Sequence, residues 1–123
     1  DICDDPLTTY EISQCVSLKR ENAEKTLNIY FAESKNSNKD DPELLAAISK
    51  AQEEWVQYRD AHCATFYEVY SGGTLAGINH TACMSALARS RTYELWESYL
   101  RTGAGMGPNP PPPILPEPKR SLN

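Results

Sequence analysis

Three long stretches of helical periodicity organise the chain, and two of them open on recognisable caps. In TTYEISQC, Thr8 and Glu11 form a T-x-x-E box: the threonine oxygen takes a free first-turn N–H while the glutamate reaches back. From there Ile12, Val16, Ala23, Leu27 and Tyr30 recur at helical spacing as one apolar stripe, with Arg20, Glu21, Glu24 and Lys25 outside it. The polar run SKNSNKDD ends that pattern. A second helix starts at DDPEL, where Asp41 suits the N-cap, Pro42 the first helical position and Glu43 the positive helix end. No Gly or Pro follows before Tyr70, which predicts a helix of about 25 residues, or ~38 Å. The run YSGGTLAGINH predicts a break and an exposed loop from Tyr70 to Asn79. A third helix then runs from near Asn79 to glycine caps at Gly103 and Gly105.

The stripes predict a core of Ile12, Val16, Leu27, Tyr30, Leu44, Ile48, Trp55, Phe66, Ala86, Tyr93 and Leu100. On the third helix Ala82, Ala86, Tyr93 and Leu100 form the expected core face, while Met84, Leu87 and Leu95 fall on a different side. The second helix holds a puzzle in AQEEWVQYRDAHC. Arg59 and His62 project among Ile48, Ala51, Trp55 and Phe66, and a charge in a core-facing stripe is costly unless paired. Arg59 is therefore expected as a structural ion pair, its stem packed and its guanidinium meeting Glu24, Glu94 or Glu97 across a helix interface. Asp60 projects to the solvated side.

Composition narrows the function classes. Among 123 residues there are 17 acidic and 12 basic side chains, a net charge of −5 with no long basic run. That argues against nucleic-acid binding and suits either solubility or a cationic partner. No apolar run reaches the ~20 residues of a membrane span. The opening DICDDP, without an initiator methionine, is what a processed chain with its signal peptide removed would show. Four cysteines, Cys3, Cys15, Cys63 and Cys83, without CxxC spacing point to two disulfides and an oxidising compartment. Three pairings are open, and locality favours Cys3–Cys15 with Cys63–Cys83, each worth about 3 kcal/mol by loop closure. A zinc site from His62, Cys63, His80 and Cys83 is the weaker reading, because neighbours on one helix diverge by about 100°.

Catalytic patterns are missing. There is no GxSxG, HExxH or phosphate-cradling loop, and Glu53–Glu54 and Glu94–Glu97 sit on solvated helical faces. No cofactor and no enzymatic activity are expected. The chain divides at about residue 103 into a helical domain, 1–103, and a proline-rich tail, 104–123. The tail is either an extension or a strap laid on the helices through Ile114 and Leu115.

The run AQEEWVQYRDAHC, the following YSGGT, and C-x7-R-T-x-E-L (Cys83, Arg91, Thr92, Glu94, Leu95) resemble the LprI-type lysozyme inhibitor family of bacterial envelope proteins. The upstream LNIYF and the early Cys3 and Cys15 fit the same pattern, so the resemblance covers roughly residues 3 to 101. It implies an all-α, disulfide-linked bundle of three helices, or at most four, with a long second helix, exported to the periplasm or cell surface. The family name further implies a protein partner, a lysozyme, and its inhibition, for which the expected mechanism is occlusion of the partner's cleft. The candidate contact residues are Tyr70, Ser71, Gly72, Gly73 and Thr74. A second class of function is an envelope interaction or immunity protein with a different protein partner.

Overall fold

The structure, a computed structural model, describes residues 3–101. The expected glycine caps at 103 and 105 and the proline-rich tail lie outside them. Three α-helices follow in order, α1 (Thr9–Ser37), α2 (Pro42–Val69) and α3 (Thr74–Leu95), and a π-helical turn, Trp96–Leu100, continues α3. There is no separate fourth helix and no strand among the described residues.

Both expected N-caps form. The Thr8 hydroxyl accepts the Glu11 N–H at 3.0 Å while the Glu11 carboxylate accepts the Thr8 N–H at 3.2 Å. Asp41 accepts the Leu44 N–H at 3.1 Å, with Pro42 following in the first turn of α2. Each satisfies a donor that the helix leaves free, which is worth about 1 kcal/mol.

The middle of the bundle is α3. It packs along α1 over most of its length and against α2 on its other flank, while α1 and α2 touch each other little. The α1 stripe buries Val16, Ala23, Leu27 and Tyr30 as the periodicity predicts, and Ile12 stays half-buried. Small residues sit in the shared cluster, Ala23 on α1 and Ala88 on α3, and Ser34 and Ser85 are buried as well. The Ser34 hydroxyl donates to the Tyr30 carbonyl at 2.8 Å, so the buried oxygen is satisfied within its own helix. Burial also raises the Tyr30 phenol above its ordinary pKa.

Two expectations about α3 need correction. It starts at Thr74, five residues before Asn79, because Gly73 takes the N-cap and Gly77 sits inside the helix. An interior glycine costs about 1 kcal/mol, and Ala76 and Ile78, both buried, offset that by packing in the first turns. The core face also differs from the one predicted. Ala86 is exposed and Tyr93 half-buried, whereas Met84, Ala88, Thr92 and Leu95 are buried.

The π turn explains part of this. In an uninterrupted α-helix, Leu95 and Leu100 would project roughly 140° apart. Here the Arg101 N–H reaches back five residues to the Trp96 carbonyl at 2.8 Å. That wider turn swings Leu100 towards the side of Leu95, and both are fully buried in the cluster with Ala23, Leu27, Tyr30 and Ala88.

In contrast, α2 is poorly covered. Only Ile48 and Cys63 of its 28 residues are buried, so Leu44, Trp55 and Phe66, expected in the core, are only half-buried. Trp55 nonetheless packs against the main cluster.

Candidate functional site

The two disulfides are Cys3–Cys15 and Cys63–Cys83, with Cα atoms 5.0 and 5.6 Å apart, and they use all four cysteines. The first ties the N-terminal segment to α1. The second joins α2 to α3 about 10 Å below the turn that connects them. Cys63 and Cys83 are therefore consumed as a disulfide, and no group of metal-ligating side chains assembles among the described residues.

Above that disulfide the candidate residues Tyr70 to Thr74 come together as the tip of a helical hairpin. Three of them are the connection itself: Ser71, Gly72 and Gly73, with φ of 52°, 78° and 85°. Tyr70 is the C-cap of α2, and Thr74 opens α3. The Gly72 N–H bonds the Tyr67 carbonyl at 2.9 Å and the Ser71 N–H bonds the Glu68 carbonyl at 3.1 Å, a Schellman closure. The expected loop of ten residues is thus a tight turn, and Thr74 to Asn79 are helical. Large apolar side chains surround it in the open: Tyr67, Val69 and Leu75 are 47, 64 and 56 % exposed. Sequence reasoning did not mark these three, because a helix read to Tyr70 gives no hint of which side chains in its last turns stay exposed.

A row of rings leads up to this tip. Tyr58, His62, Phe66 and Tyr70 follow at four-residue spacing, with successive ring centroids 5.6, 6.0 and 6.4 Å apart. The spacing was legible in the sequence as an i, i+4 series. On another side of α2, Tyr67 packs its ring 5.0 Å from His80 of α3.

Arg59 takes a different partner from those expected. Its Nε and Nη2 lie 2.9 and 2.8 Å from Asp60 Oδ1, and its guanidinium stands 5.2 Å from the Trp55 ring. The stem is largely covered while Asp60 is exposed, so the charge leaves the apolar stripe by lying along the indole. Glu24, Glu94 and Glu97 pair instead with Arg20, Arg91 and Arg101.

The arginine that does cross a helix interface is Arg91. Its Nε donates to Gln52 Oε1 at 2.9 Å, linking α3 to α2, and its Nη1 lies 3.5 Å from Glu94. In the same R-T-x-E-L run the Thr92 hydroxyl donates to the Ala88 carbonyl at 2.8 Å, and Leu95 is fully buried. That motif therefore marks packing and helix-to-helix linkage.

The surface of α2 is acidic in balance, with Glu43, Glu53, Glu54, Asp60 and Glu68 against Lys50 and Arg59. Lys50 lies 3.0 Å from Glu54. That hydrogen bond first, and the charges of Glu54 and Glu53 after it, raise the Lys50 ammonium above its ordinary pKa.

These features define a small disulfide-closed helical bundle with one sparsely covered helix and a hairpin tip that carries exposed apolar side chains. The chain belongs to the lysozyme inhibitor LprI family, whose sequence pattern it matches over residues 3–95. It is also 38% identical over 53 residues to an uncharacterized protein of Rhizobium meliloti (strain 1021), a match covering 43% of this chain and 38% of that relative. The chain thus spans little more than a third of the relative's length in that match. No solved structure matches it. No described helix is long and apolar enough to cross a membrane.

Proposed function

We propose that this domain acts without catalysis in the periplasm or at the cell surface. There it binds a lysozyme-type cell-wall hydrolase and blocks its cleft with the α2–α3 tip. The observation that carries this reading is the tip itself. Tyr67, Val69 and Leu75 stand exposed around a turn of three left-handed residues that is pinned from below by Cys63–Cys83. Exposed aromatic and aliphatic anchors on a pre-ordered support suit insertion into a groove, because little conformational freedom is lost on binding. Membership of the lysozyme inhibitor LprI family supports the choice of partner. Two disulfides fit an oxidising compartment.

Charge supports the approach to such a partner. A net charge of −5 attracts a cationic hydrolase over a Debye length of about 10 Å at 0.1 M salt.

The test is hydrolysis of cell-wall substrate by a cationic lysozyme with the oxidised full chain in molar excess, at low and at high salt. Inhibition is expected at low salt, weakening as salt rises. Val69→Asp and Leu75→Asp, exposed and therefore harmless to folding, should reduce it at least tenfold. Undiminished hydrolysis at low salt would remove the lysozyme reading and leave an envelope interaction or immunity protein with another partner. Inhibition indifferent to both tip variants would keep the target and discard the tip.

A further inference from the structure

The two halves of α2 are tied down differently. In the N-terminal half Ile48 is fully buried, Gln52 accepts the Arg91 hydrogen bond at 2.9 Å, and Trp55 packs against the main cluster. Beyond Ile48 a single residue of α2 is buried, and that residue is Cys63. The two stand about 22 Å apart along the helix. Past Trp55, α2 meets α3 through the Cys63–Cys83 disulfide and the Tyr67–His80 ring contact, with Phe66 and Tyr70 only half-buried. A stretch with so little apolar burial gains little free energy by docking, so its place beside α3 depends on the covalent bond.

The bond also has one sulfur-bearing residue near the surface. Cys63 is fully buried, whereas Cys83 is half-buried. Thiol–disulfide exchange requires attack on only one of the two sulfurs. A thiolate of a dithiol reductant bonds to Cys83 Sγ, the Sγ–Sγ bond breaks, and Cys63 leaves as a thiolate that takes up a proton. The reductant's second sulfur then displaces Cys83, which also leaves as a thiol, and the reductant departs as its disulfide. Two electrons and two protons pass to the protein. Cys3–Cys15 is placed differently: it ties the N-terminal segment to α1, so opening it leaves the α2–α3 links intact.

We infer that Cys63–Cys83 is a redox-sensitive latch. Oxidised, it holds the C-terminal half of α2 on α3. Reduced by a dithiol, it lets that half and the Tyr70–Thr74 turn open while the α1–α3 seam stays folded. The opening is a local equilibrium of one hairpin, separate from unfolding of the domain. Its consequence for binding rests on the tip reading above, because an opened turn loses the order that favours insertion into a groove.

The test is amide hydrogen exchange read by mass spectrometry on the full chain, first oxidised, then treated with dithiothreitol without denaturant, then reoxidised. Alkylation of Cys63 and Cys83 verifies the opening. Residues 56–79 should exchange at least about tenfold faster after reduction, and reoxidation should restore their protection. Seam residues 16–30 and 85–95 should not change. The double variant Cys63→Ala, Cys83→Ala keeps Cys3–Cys15 and should show the open pattern without reductant. Faster exchange across the seam as well, in the reduced chain and the double variant alike, would make the bond a support of the whole domain and overturn the inference. So would unchanged protection at 56–79, or a disulfide that dithiothreitol opens only in denaturant. Hydrolase inhibition is measured on the same three samples. An oxidised chain that does not inhibit would count against the tip reading alone, because the exchange pattern decides the latch without it.

Discussion

The two flanks of α3 hold their neighbours by different physics. Towards α1 the contact is close-packed and apolar: Ala23, Leu27 and Tyr30 meet Ala88, Leu95 and Leu100, all buried. Towards α2 the contact is sparser and mixed: the Cys63–Cys83 disulfide, the Arg91–Gln52 hydrogen bond, the Tyr67–His80 ring contact and Trp55 packed against the main cluster. α1 buries seven side chains and still exposes Tyr10, Leu18 and Ile29, whereas α2 buries only Ile48 and Cys63 of its 28 residues and exposes Tyr58, Tyr67 and Val69. The difference places most of the buried core in the α1–α3 seam and leaves α2 the more sparsely covered helix.

The sharpest way to break that division is to remove apolar volume from each side. Leu95→Ala empties a fully buried site and should destabilise by about 3–4 kcal/mol. For a domain of this size that lowers the melting midpoint by well over ~10 °C. Val69→Ala, at a site 64 % exposed, should change stability by less than ~0.5 kcal/mol. Urea unfolding of both variants measures the contrast. Similar losses in the two would mean that α2 is covered far more completely than its exposure indicates.

The sequence allowed the α1 stripe and both N-caps to be read in advance because each depends on neighbours within one or two turns. Val16, Leu27 and Tyr30 are buried where periodicity put them, and the family run through Trp55 and Cys63 pointed to the helical scaffold. Two non-local facts were not legible. The π turn at Trp96–Leu100 leaves no recognisable residue signature, so straight 100° counting put Leu95 and Leu100 on different sides. Helix coverage is set by how three helices meet, and the half-buried Trp55 and Phe66 look in sequence like core residues. The tip suffered from a third ambiguity: glycine serves equally as a helix breaker and as a tolerated interior residue, and Gly77 in YSGGTLAGINH reads as the former.

The same limit governs the two arginines, and they give the second comparison. Helical projection singled out Arg59, but its charge is met one residue away by Asp60 at the surface. Arg91 carries the cross-helix contact, and its Nη2 is buried without a hydrogen-bond partner. Arg91→Ala should therefore cost about 1.5–2 kcal/mol, the range for hydrogen bonds to charged groups, reduced by the unmet Nη2. Arg59→Ala should cost under ~1 kcal/mol, mostly through lost packing on Trp55. A double-mutant cycle of Arg91→Ala with Gln52→Ala should give a coupling of about 1 kcal/mol. Coupling near zero would show that the α2–α3 tie holds without this bond.

A small effect of the opposite sign belongs to Ser71. Ser71 occupies the left-handed position after the C-cap of α2, with φ of 52°, where glycine is the usual residue. A Cβ in that region costs roughly 1–2 kcal/mol, part of which Ser71→Gly would return after the added freedom of the unfolded chain is subtracted. A net gain of about 0.5–1 kcal/mol is expected. Ser71→Ala keeps the Cβ and should gain nothing, which separates relief of strain from loss of the hydroxyl. Hydrogen exchange locates the gain: the Ser71 and Gly72 amides, bonded to Glu68 and Tyr67, should exchange more slowly, and amides of the α1–α3 seam should not change relative to global stability. If the glycine variant is less stable, the serine side chain contributes more at the tip than its backbone costs. If it is more stable yet binds its partner less well, the left-handed serine is retained for the shape it gives the turn, a small local strain held in place by the helices and disulfide beneath it.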